Sequence, residues 1–264
     1  MSLIAVGSVT GAPGATTLAL ALALQLAVEP DGAPGPILLD ADVDGGDLAL
    51  RLGLDPIPGL GTLALAGRHG LDEDTLVAHS QRARGLPGVD VVPGIAGRAQ
   101  APTLEWVASP LAALAPRCRR PLLVDVGRVG AATSSRPILT AADRVLVVCR
   151  SDTASVVHAR SGMAALAAAG LTSSAVVVAG EHHLSGELAA ALGRPIAAAI
   201  SPERLQLATR RPAPPGQGPL AGLVDQVLRG APPQLTPELP AAELAPDAVV
   251  AAAGSLPGRL GGQA

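Results

Sequence analysis

The sequence lacks four residue types altogether, and their absence constrains both the core and any charged site. None of the 264 residues is Phe, Tyr, Lys or Asn, and Trp106 is the single aromatic side chain. The core must therefore be built from Ala, Leu and Val, and a chain of this length that is 48% hydrophobic supplies enough of them for one large or two small domains. All nineteen basic side chains are Arg. A site that ordinarily uses a lysine must therefore do without it or use an arginine.

Charge, cysteine content and hydropathy exclude several further classes of protein. The net charge of −3 argues against a strongly basic surface dedicated to nucleic acid. Cys118 and Cys149 lack the spacing of a metal site, so we expect both to be reduced and structural. The longest apolar run, Thr17 to Val28, is shorter than the roughly 20 residues of a membrane span. Because no basic segment and cleavage site open the sequence, we expect a cytoplasmic protein.

Short Val/Ile/Leu runs alternate with longer Ala/Leu-rich segments along most of the chain, which is typical of β–α units around a parallel sheet. Strands are predicted at residues 3–9, 36–40, 89–92, 121–126, 144–149, 174–179 and 195–200. Helices are predicted at residues 16–28, 47–52, 73–82, 103–115, 153–169, 186–192, 203–208 and 218–228. The predicted fold class is α/β, a three-layer sandwich with a mostly parallel sheet of about seven strands flanked by helices.

The alternating pattern ends before the chain does. Residues 1–230 are predicted to form one domain, and residues 231–264 read as a loosely ordered tail rich in Pro and Ala. Attachment to a membrane through the end of the chain would need a basic amphipathic helix. The segment from Glu243 to Ala264 contains Pro246, Pro257, several Gly and one basic residue, Arg259. We therefore expect no membrane anchor.

A glycine-rich segment separates the first predicted strand from the first predicted helix. Strand, Gly-rich turn and Thr-initiated helix is the layout of a P-loop, in which backbone N–H groups and a helix N-terminus face phosphates. Against the pattern G-x-x-x-x-G-K-[ST], Gly14 and Thr16 match, whereas Val9 replaces the first Gly and Ala15 replaces the Lys. The segment thus has the form of a phosphate cradle without its main cation. A plain tight turn between strand and helix would use the same glycines.

Carboxylates follow two other predicted strands, at the edge where an open α/β sheet places its ligand. Asp40 and Asp42 stand at the end of the second strand, and Asp125 stands near the end of the strand at 121–126. Asp125 has the position of a Walker B aspartate, which holds Mg²⁺ through water. Asp40 and Asp42 could instead be a solvated cluster that caps the next helix. Asp125 is harder to explain in that way, because a carboxylate at the end of an apolar strand needs a partner.

Taken in order, these landmarks resemble the ParA/MinD branch of the deviant-Walker P-loop ATPases. The family loop K-G-G-x-G-K-[ST]-[ST] aligns without a gap to residues 10–17, and the family D-x-D aligns to Asp40 and Asp42. The Leu-Gly-Leu at residues 52–54 also matches, and the resemblance extends over roughly residues 1–230. Within the family, the chain is similar to lysine-poor ParA-like proteins of actinobacteria, some of which resemble the TadZ/CpaE/Ssd group linked to tight-adherence pilus loci.

The resemblance implies a role for each matching residue. Asp40 and Asp42 would order the attacking water, Asp125 would serve as Walker B, and Thr16 would coordinate Mg²⁺ together with it. Thr17 would contact the α-phosphate. The nucleotide, ATP, would lie against the whole loop: Thr10, Gly11, Ala12, Pro13, Gly14, Ala15, Thr16 and Thr17.

Two departures from the family pattern decide what we expect of the activity. Thr10 replaces the signature lysine that reaches across a nucleotide-sandwich dimer, and Ala15 replaces the lysine that contacts the β- and γ-phosphates. We therefore predict a degenerate, catalytically impaired member that binds ATP and Mg²⁺ weakly and acts as a positioning factor for an unidentified protein partner. One alternative is a slow ATPase or GTPase that uses Arg128 or Arg150. Another is a nucleotide-independent structural dimer. In the main interpretation as well, we expect a homodimer, formed through the P-loop face.

Overall fold

The sheet is the centre of the described part of the molecule. The computed structural model describes residues 3–11, 14–28, 34–130, 133–171, 174–178, 185–194, 196–214, 216–218 and 220–229. The tail predicted from residue 231 lies outside the described residues, and its predicted loose order stays a prediction. The strands are β1 (Leu3–Ser8), β2 (Ile37–Asp40), β3 (Gln81–Arg82), β4 (Asp90–Val92), β5 (Leu122–Arg128), β6 (Arg144–Arg150), β7 (Ser174–Val178) and β8 (Ile196–Ile200).

Within the described residues, these eight strands form one sheet in the order β3-β4-β2-β5-β1-β6-β7-β8. All neighbours run parallel except β3, which is antiparallel to β4. The helices are α1 (Ala15–Ala27), α2 (Leu48–Leu52), α3 (Leu60–Ala66), α4 (Glu73–Ala78), α5 (Gln100–Leu114), α6 (Arg136–Ala141), α7 (Thr153–Ala168), α8 (Ser185–Leu192), α9 (Pro202–Ala208) and α10 (Ala221–Arg229).

Alternation along the central strands divides the core into two layers. In β1, Leu3 and Ala5 pack into one hydrophobic cluster, whereas Ile4 and Val6 pack into another. The first cluster includes side chains of α3, α5, α6 and α7, and the second includes side chains of α1, α9 and α10. Because successive side chains of a strand point to opposite faces, a strand that is apolar throughout needs helices on both sides. The predicted three-layer α/β sandwich is therefore confirmed.

The predicted strands are all present, and the differences from the sequence analysis concern short elements. The sheet has one strand more than the seven predicted, because the two residues of β3 pair with β4. The helix predicted at 73–82 ends at Ala78, where the chain turns into β3. There Gln81 donates from Nε2 to the carbonyl oxygens of Asp55 and Pro58, at 2.7 and 2.6 Å, which fixes the edge strand. The short helices α3 and α6 were not predicted.

The strand order brings the sites of interest to one edge. β1 lies between β5 and β6, and β2 is the other neighbour of β5. Because these four strands are parallel, their carboxyl ends meet, and the segments that follow them are adjacent. The glycine-rich loop, the acidic loop that follows β2 (residues 40–47), Asp125 and the arginines that end β5 and β6 therefore share one edge of the sheet.

Candidate functional site

The start of α1 presents an uncapped helix N-terminus at this edge. Gly14 precedes the helix with a φ of 123°, a backbone conformation that favours glycine, and accepts the N–H of Leu18 at 2.7 Å. In the described part of the loop, no side chain caps the helix, and its first turn contains no acidic residue. The first N–H groups of a helix have no partner within it, and the helix dipole is positive there. This end of α1 therefore suits an anion such as phosphate.

The predicted loop residues differ in how accessible they are. Thr10 and Gly11 are exposed, Thr16 and Thr17 are half-buried, and Ala15 is buried. Ala12 and Pro13 lie outside the described residues. The predicted binding segment therefore presents an open backbone around Thr10, while the position at which the P-loop pattern has its lysine is covered.

Asp125 and Thr16 are joined, as a metal-binding pair would require. Asp125 is buried on β5, its Oδ1 accepts the N–H of Gly127 at 3.0 Å, and its carboxylate is hydrogen-bonded to the Thr16 side chain. Burial raises the pKa of Asp125 to about 6, although these hydrogen bonds act to lower it. A cation beside this carboxylate would relieve the cost of keeping it charged.

Asp40 is sealed beneath the start of α2. Its Oδ2 accepts the N–H of Leu48 at 3.0 Å, and a Cβ atom added at Gly46 would overlap its carboxylate. Oδ1 is buried and has no hydrogen-bond partner within the described residues. Burial, together with the charge of Asp125, its register partner on β5, raises the pKa of Asp40 to about 7. The Asp40 side chain caps α2 and holds the acidic loop against the sheet.

Asp42 is the more accessible carboxylate of the predicted pair. It is half-buried, and its Oδ1 accepts the N–H of Asp44 at 3.0 Å. Gly127 has a φ of 57°, and a Cβ atom there would overlap the Asp42 carboxylate, so glycine permits the close approach of the acidic loop to β5. Burial raises the pKa of Asp42. Of the two carboxylates predicted to order a water molecule, Asp42 is the one that can reach solvent.

Arg128 places a guanidinium group beside the glycine-rich loop. It ends β5 in register with Ser8, the last residue of β1. A Cβ atom built on Gly11 would lie 3.2 Å from Arg128 Nη2, so the guanidinium rests against the loop backbone. Arg128 Nε also lies 3.5 Å from Asp44 Oδ2, and both side chains are more than half exposed. The sequence analysis names Arg128 and Arg150 as the two candidates to replace the missing lysines, and it does not distinguish between them.

The other arginine, Arg150, occupies the far side of β1. It ends β6 and pairs with Asp152, with 3.5 Å between Nε and Oδ2. Asp152 also caps α7 by accepting the N–H of Ser155 at 3.0 Å. Arg150 therefore lies beside the start of α7, whereas the Arg128 guanidinium lies beside Gly11 of the loop.

One supporting residue was missed in the sequence. Gln100 is fully buried at the start of α5, donates from Nε2 to the carbonyl oxygen of Asp40 at 2.7 Å, and accepts the N–H of Ile95 at 2.6 Å. It thereby ties the end of β2 to the segment after β4. No sequence pattern marks it, because a single Gln before an apolar helix usually faces solvent.

The residues fit a nucleotide with Mg²⁺ in part. Among the described residues, no three His, Cys, Asp or Glu side chains are grouped as a metal site by themselves. A P-loop does not need such a group, because Mg²⁺ is held there by a Thr hydroxyl, phosphate oxygens and an aspartate. Thr16 and Asp125 provide the protein part of that set, and the helix N-terminus provides N–H groups. The chain cannot provide a lysine ammonium to contact the phosphates.

Comparison with known proteins gives a clear result for structure and none for sequence. No family model matches the chain, and no curated protein matches it. A ParA family ATPase from Chlorobium tepidum TLS superimposes with a TM-score of 0.67 at 21% identity, covering 86% of this chain and 97% of that one. The cell division ATPase MinD of Pyrococcus furiosus gives 0.65 at 18% identity, covering 86% and 98%. The chain has a ParA/MinD-type fold.

A third structure with this fold was solved with its ligand. The septum site-determining protein MinD of Pyrococcus horikoshii OT3, complexed with Mg-ADP, superimposes with a TM-score of 0.58 at 16% identity, covering 86% of this chain and 96% of that one. At such identities the likeness concerns the ParA/MinD-type fold and leaves individual residue roles untested. Within the described residues, every helix is too short or too polar to span a bilayer.

Proposed function

We propose that this protein is a degenerate ParA/MinD-like positioning or scaffold factor that binds a Mg-nucleotide weakly and hydrolyses little or none of it. One observation carries the proposal. Ala15 is the buried first residue of α1 in a chain without lysine, whereas Thr16 and Asp125 remain paired beside it. The ATPases that share the fold include a cell division protein and a septum site-determining protein. We propose partitioning, septum placement, or pilus or secretion assembly as its process and the cytoplasm as its location; the two neighbours support septum placement among these.

Each residue has a task that does not require lysine. The N–H groups at the start of α1 would bind phosphate oxygens, and Thr16 with Asp125 would hold Mg²⁺ directly and through water. Mg²⁺, when bound, neutralises phosphate charge. Asp42 would orient a water molecule, and the buried Asp40 would hold Asp42 in place through the loop that it caps. The arrangement supports binding better than turnover.

Magnitudes favour binding without hydrolysis. Phosphoryl transfer depends on positioned positive charge, and a single arginine finger contributes roughly 10³–10⁵ in rate. A ground-state contact is worth much less, since each hydrogen bond to a charged group contributes roughly 1.5–3 kcal/mol. Losing both family lysines should therefore remove most turnover while leaving measurable affinity.

We expect Mg-ATP turnover at or near the background of the assay, because neither Thr10 nor Ala15 can neutralise a γ-phosphate. Phosphate release should be measured at a nucleotide concentration at which binding has been shown, with Asp42→Ala as the matched variant. The two proteins should give the same rate. Robust turnover that Asp42→Ala abolishes would contradict the proposal.

That contradicting outcome would support a second function, an arginine-dependent slow ATPase or GTPase. The observation that favours it is the Arg128 guanidinium, which lies against Gly11. The two functions differ in what removal of Arg128 does. In a slow enzyme, Arg128→Ala would abolish a measurable rate, whereas in a binding factor there is no rate to lose.

We further expect a homodimer through the P-loop face whose association does not respond to ATP. Lysine-bearing loops facing each other would repel, whereas Thr10 and Gly11 are exposed and uncharged and the nearby Arg128 is paired with Asp44. Sedimentation velocity should therefore show a dimer with and without Mg-ATP. Thr10→Arg should dissociate it by placing like charges across the face, and Thr10→Ser should not.

Three other results would each revise the account. A monomer that dimerises only with Mg-ATP would mean that nucleotide still works as a switch. A monomer under both conditions would leave a scaffold that assembles with a different protein. A dimer in a chain that binds no nucleotide would favour the purely structural alternative.

A further inference from the structure

Arg128 has a geometry that suits it to phosphate. Its Nη2 lies 3.2 Å from the position of a Cβ atom built on Gly11, on the same edge of the sheet as the uncapped start of α1. The side chain is 55% exposed, so it can reorient without breaking a buried contact. A guanidinium offers two parallel N–H donors to a phosphate and keeps its charge at any physiological pH.

An irregularity in β5 sets the direction of this side chain. Along β5, Asp125 pairs with Val6 and Gly127 pairs with Gly7, so one extra residue stands between them. Such a bulge redirects the side chains that follow it and is common beside functional sites. Beyond the bulge, the N–H of Val129 donates to the carbonyl oxygen of Ser8 at 2.8 Å, which anchors the strand end to β1. Arg128 lies between Gly127, which pairs with Gly7, and Val129, whose N–H is bound to Ser8.

Asp44 is the carboxylate paired with this guanidinium. Its Oδ2 lies 3.5 Å from Arg128 Nε, and its side chain is 65% exposed. An exposed pair of this kind contributes little free energy, so a phosphate can displace the carboxylate. The N–H of Asp44 donates to Asp42, so displacement would act on the acidic loop that carries the water-orienting carboxylate.

We propose that Arg128 is the phosphate-binding cation of this chain, in place of the P-loop lysine, and that Asp44 is its competing counter-ion. The inference rests on the proposed function, because it assigns a residue to the same phosphate site. It also accounts for how a chain without lysine retains affinity. Phosphate binding would release Asp44 from Arg128, so the conformation of the acidic loop would depend on whether phosphate is bound.

Equilibrium binding of two probes tests this assignment. Mg-ATP and inorganic tripolyphosphate with Mg²⁺ should each be titrated into the full chain and into variants whose fold is checked by circular dichroism. Arg128→Ala should weaken binding about tenfold or more, and Arg128→Lys should fall between it and the natural chain. Asp44→Asn should strengthen binding about two- to fivefold by removing the competitor. Arg51→Ala removes a comparable surface pair, Arg51–Asp47 at 2.7 Å, and should change nothing.

Each result decides between the two proposals. Mg-ATP binding that Arg128→Ala leaves unchanged, or that Arg51→Ala weakens equally, would overturn the role of Arg128 and leave the proposed function standing. Tripolyphosphate binding that depends on Arg128 in a chain that does not bind Mg-ATP would support Arg128 and overturn the nucleotide function. A chain that binds neither probe would overturn both. An equal loss in Arg150→Ala with none in Arg128→Ala would assign the cation to Arg150 and overturn the inference.

Discussion

An Ala15→Lys variant should bind Mg-ATP about ten- to a hundredfold more tightly than the natural chain. The estimate follows from one charge-assisted hydrogen bond of roughly 1.5–3 kcal/mol. Ala15 is the first residue of α1, and the Cα–Cβ bond of a helical residue tilts toward the helix N-terminus. A lysine there would project back over the loop and place its ammonium beside the N–H groups that already face the site. Titration calorimetry of the two proteins under identical salt gives the ratio.

The matched control separates charge from bulk. Ala15 is only 5% exposed, so any long side chain at this position disturbs its surroundings. Ala15→Met adds an unbranched side chain without charge and should not raise affinity. If Ala15→Lys gains nothing over Ala15→Met, alone or combined with Thr10→Lys, the loop does not have the geometry of a phosphate cradle.

The free energy of unfolding should fall as the pH rises from about 5 to about 8 in magnesium-free buffer. In the folded state the pKa of Asp40 is raised to about 7 and that of Asp125 to about 6, each mainly by burial, from an ordinary 3.8. Between the ordinary and the raised values, the folded protein holds more protons than the unfolded chain, so stability is fully present below about pH 4 and is lost as these carboxyls ionise. The change should be on the order of 2–4 kcal/mol for the coupled pair.

Asp40→Asn provides the test of this pH dependence. The amide oxygen can still accept the N–H of Leu48, and the variant cannot ionise. Denaturant midpoints followed by far-UV circular dichroism should vary less with pH in Asp40→Asn than in the natural chain, and at about pH 8 the variant should be the more stable. Asp44→Asn, which changes an exposed carboxylate of the same loop, should keep the natural slope. Stability that rises with pH in the natural chain, or an unchanged slope in Asp40→Asn, would contradict the account.

The sequence predicted the long elements of the fold but missed three short ones, β3, α3 and α6. Apolar runs bounded by Gly or Pro marked the central strands, because buried parallel strands are apolar on both faces. Helix α3 begins at Leu60, where Gly59 and Thr62 exchange hydrogen bonds, and it is only seven residues long. Helix α6 has six residues with Pro137 in its first turn. Such helices are fixed by packing more than by local preference, which is why periodicity did not reveal them.

The location of the site was predictable, whereas its electrostatic arrangement was not. The glycine-rich loop, Thr16 and Asp125 lie together because parallel strands end at one edge, a consequence of the fold class. The contact of Arg128 with Gly11 depends on the bulge in β5, which no sequence pattern announces. The sealing of Asp40 beneath α2 depends on the absence of a side chain at Gly46. These features arise from backbone geometry and became visible only in three dimensions.

Titration calorimetry of Mg-ATP into the natural chain tests the central claim most directly, because heat reports both binding and turnover. We predict a weak heat of binding that saturates near one nucleotide per protomer, disappears without Mg²⁺ and leaves no sustained heat after each injection. Complete absence of binding heat would contradict the claim that this chain retains a nucleotide site. Sustained heat after each injection would contradict the claim that this chain hydrolyses little or no ATP, because it would show continuing hydrolysis by a chain that has no lysine.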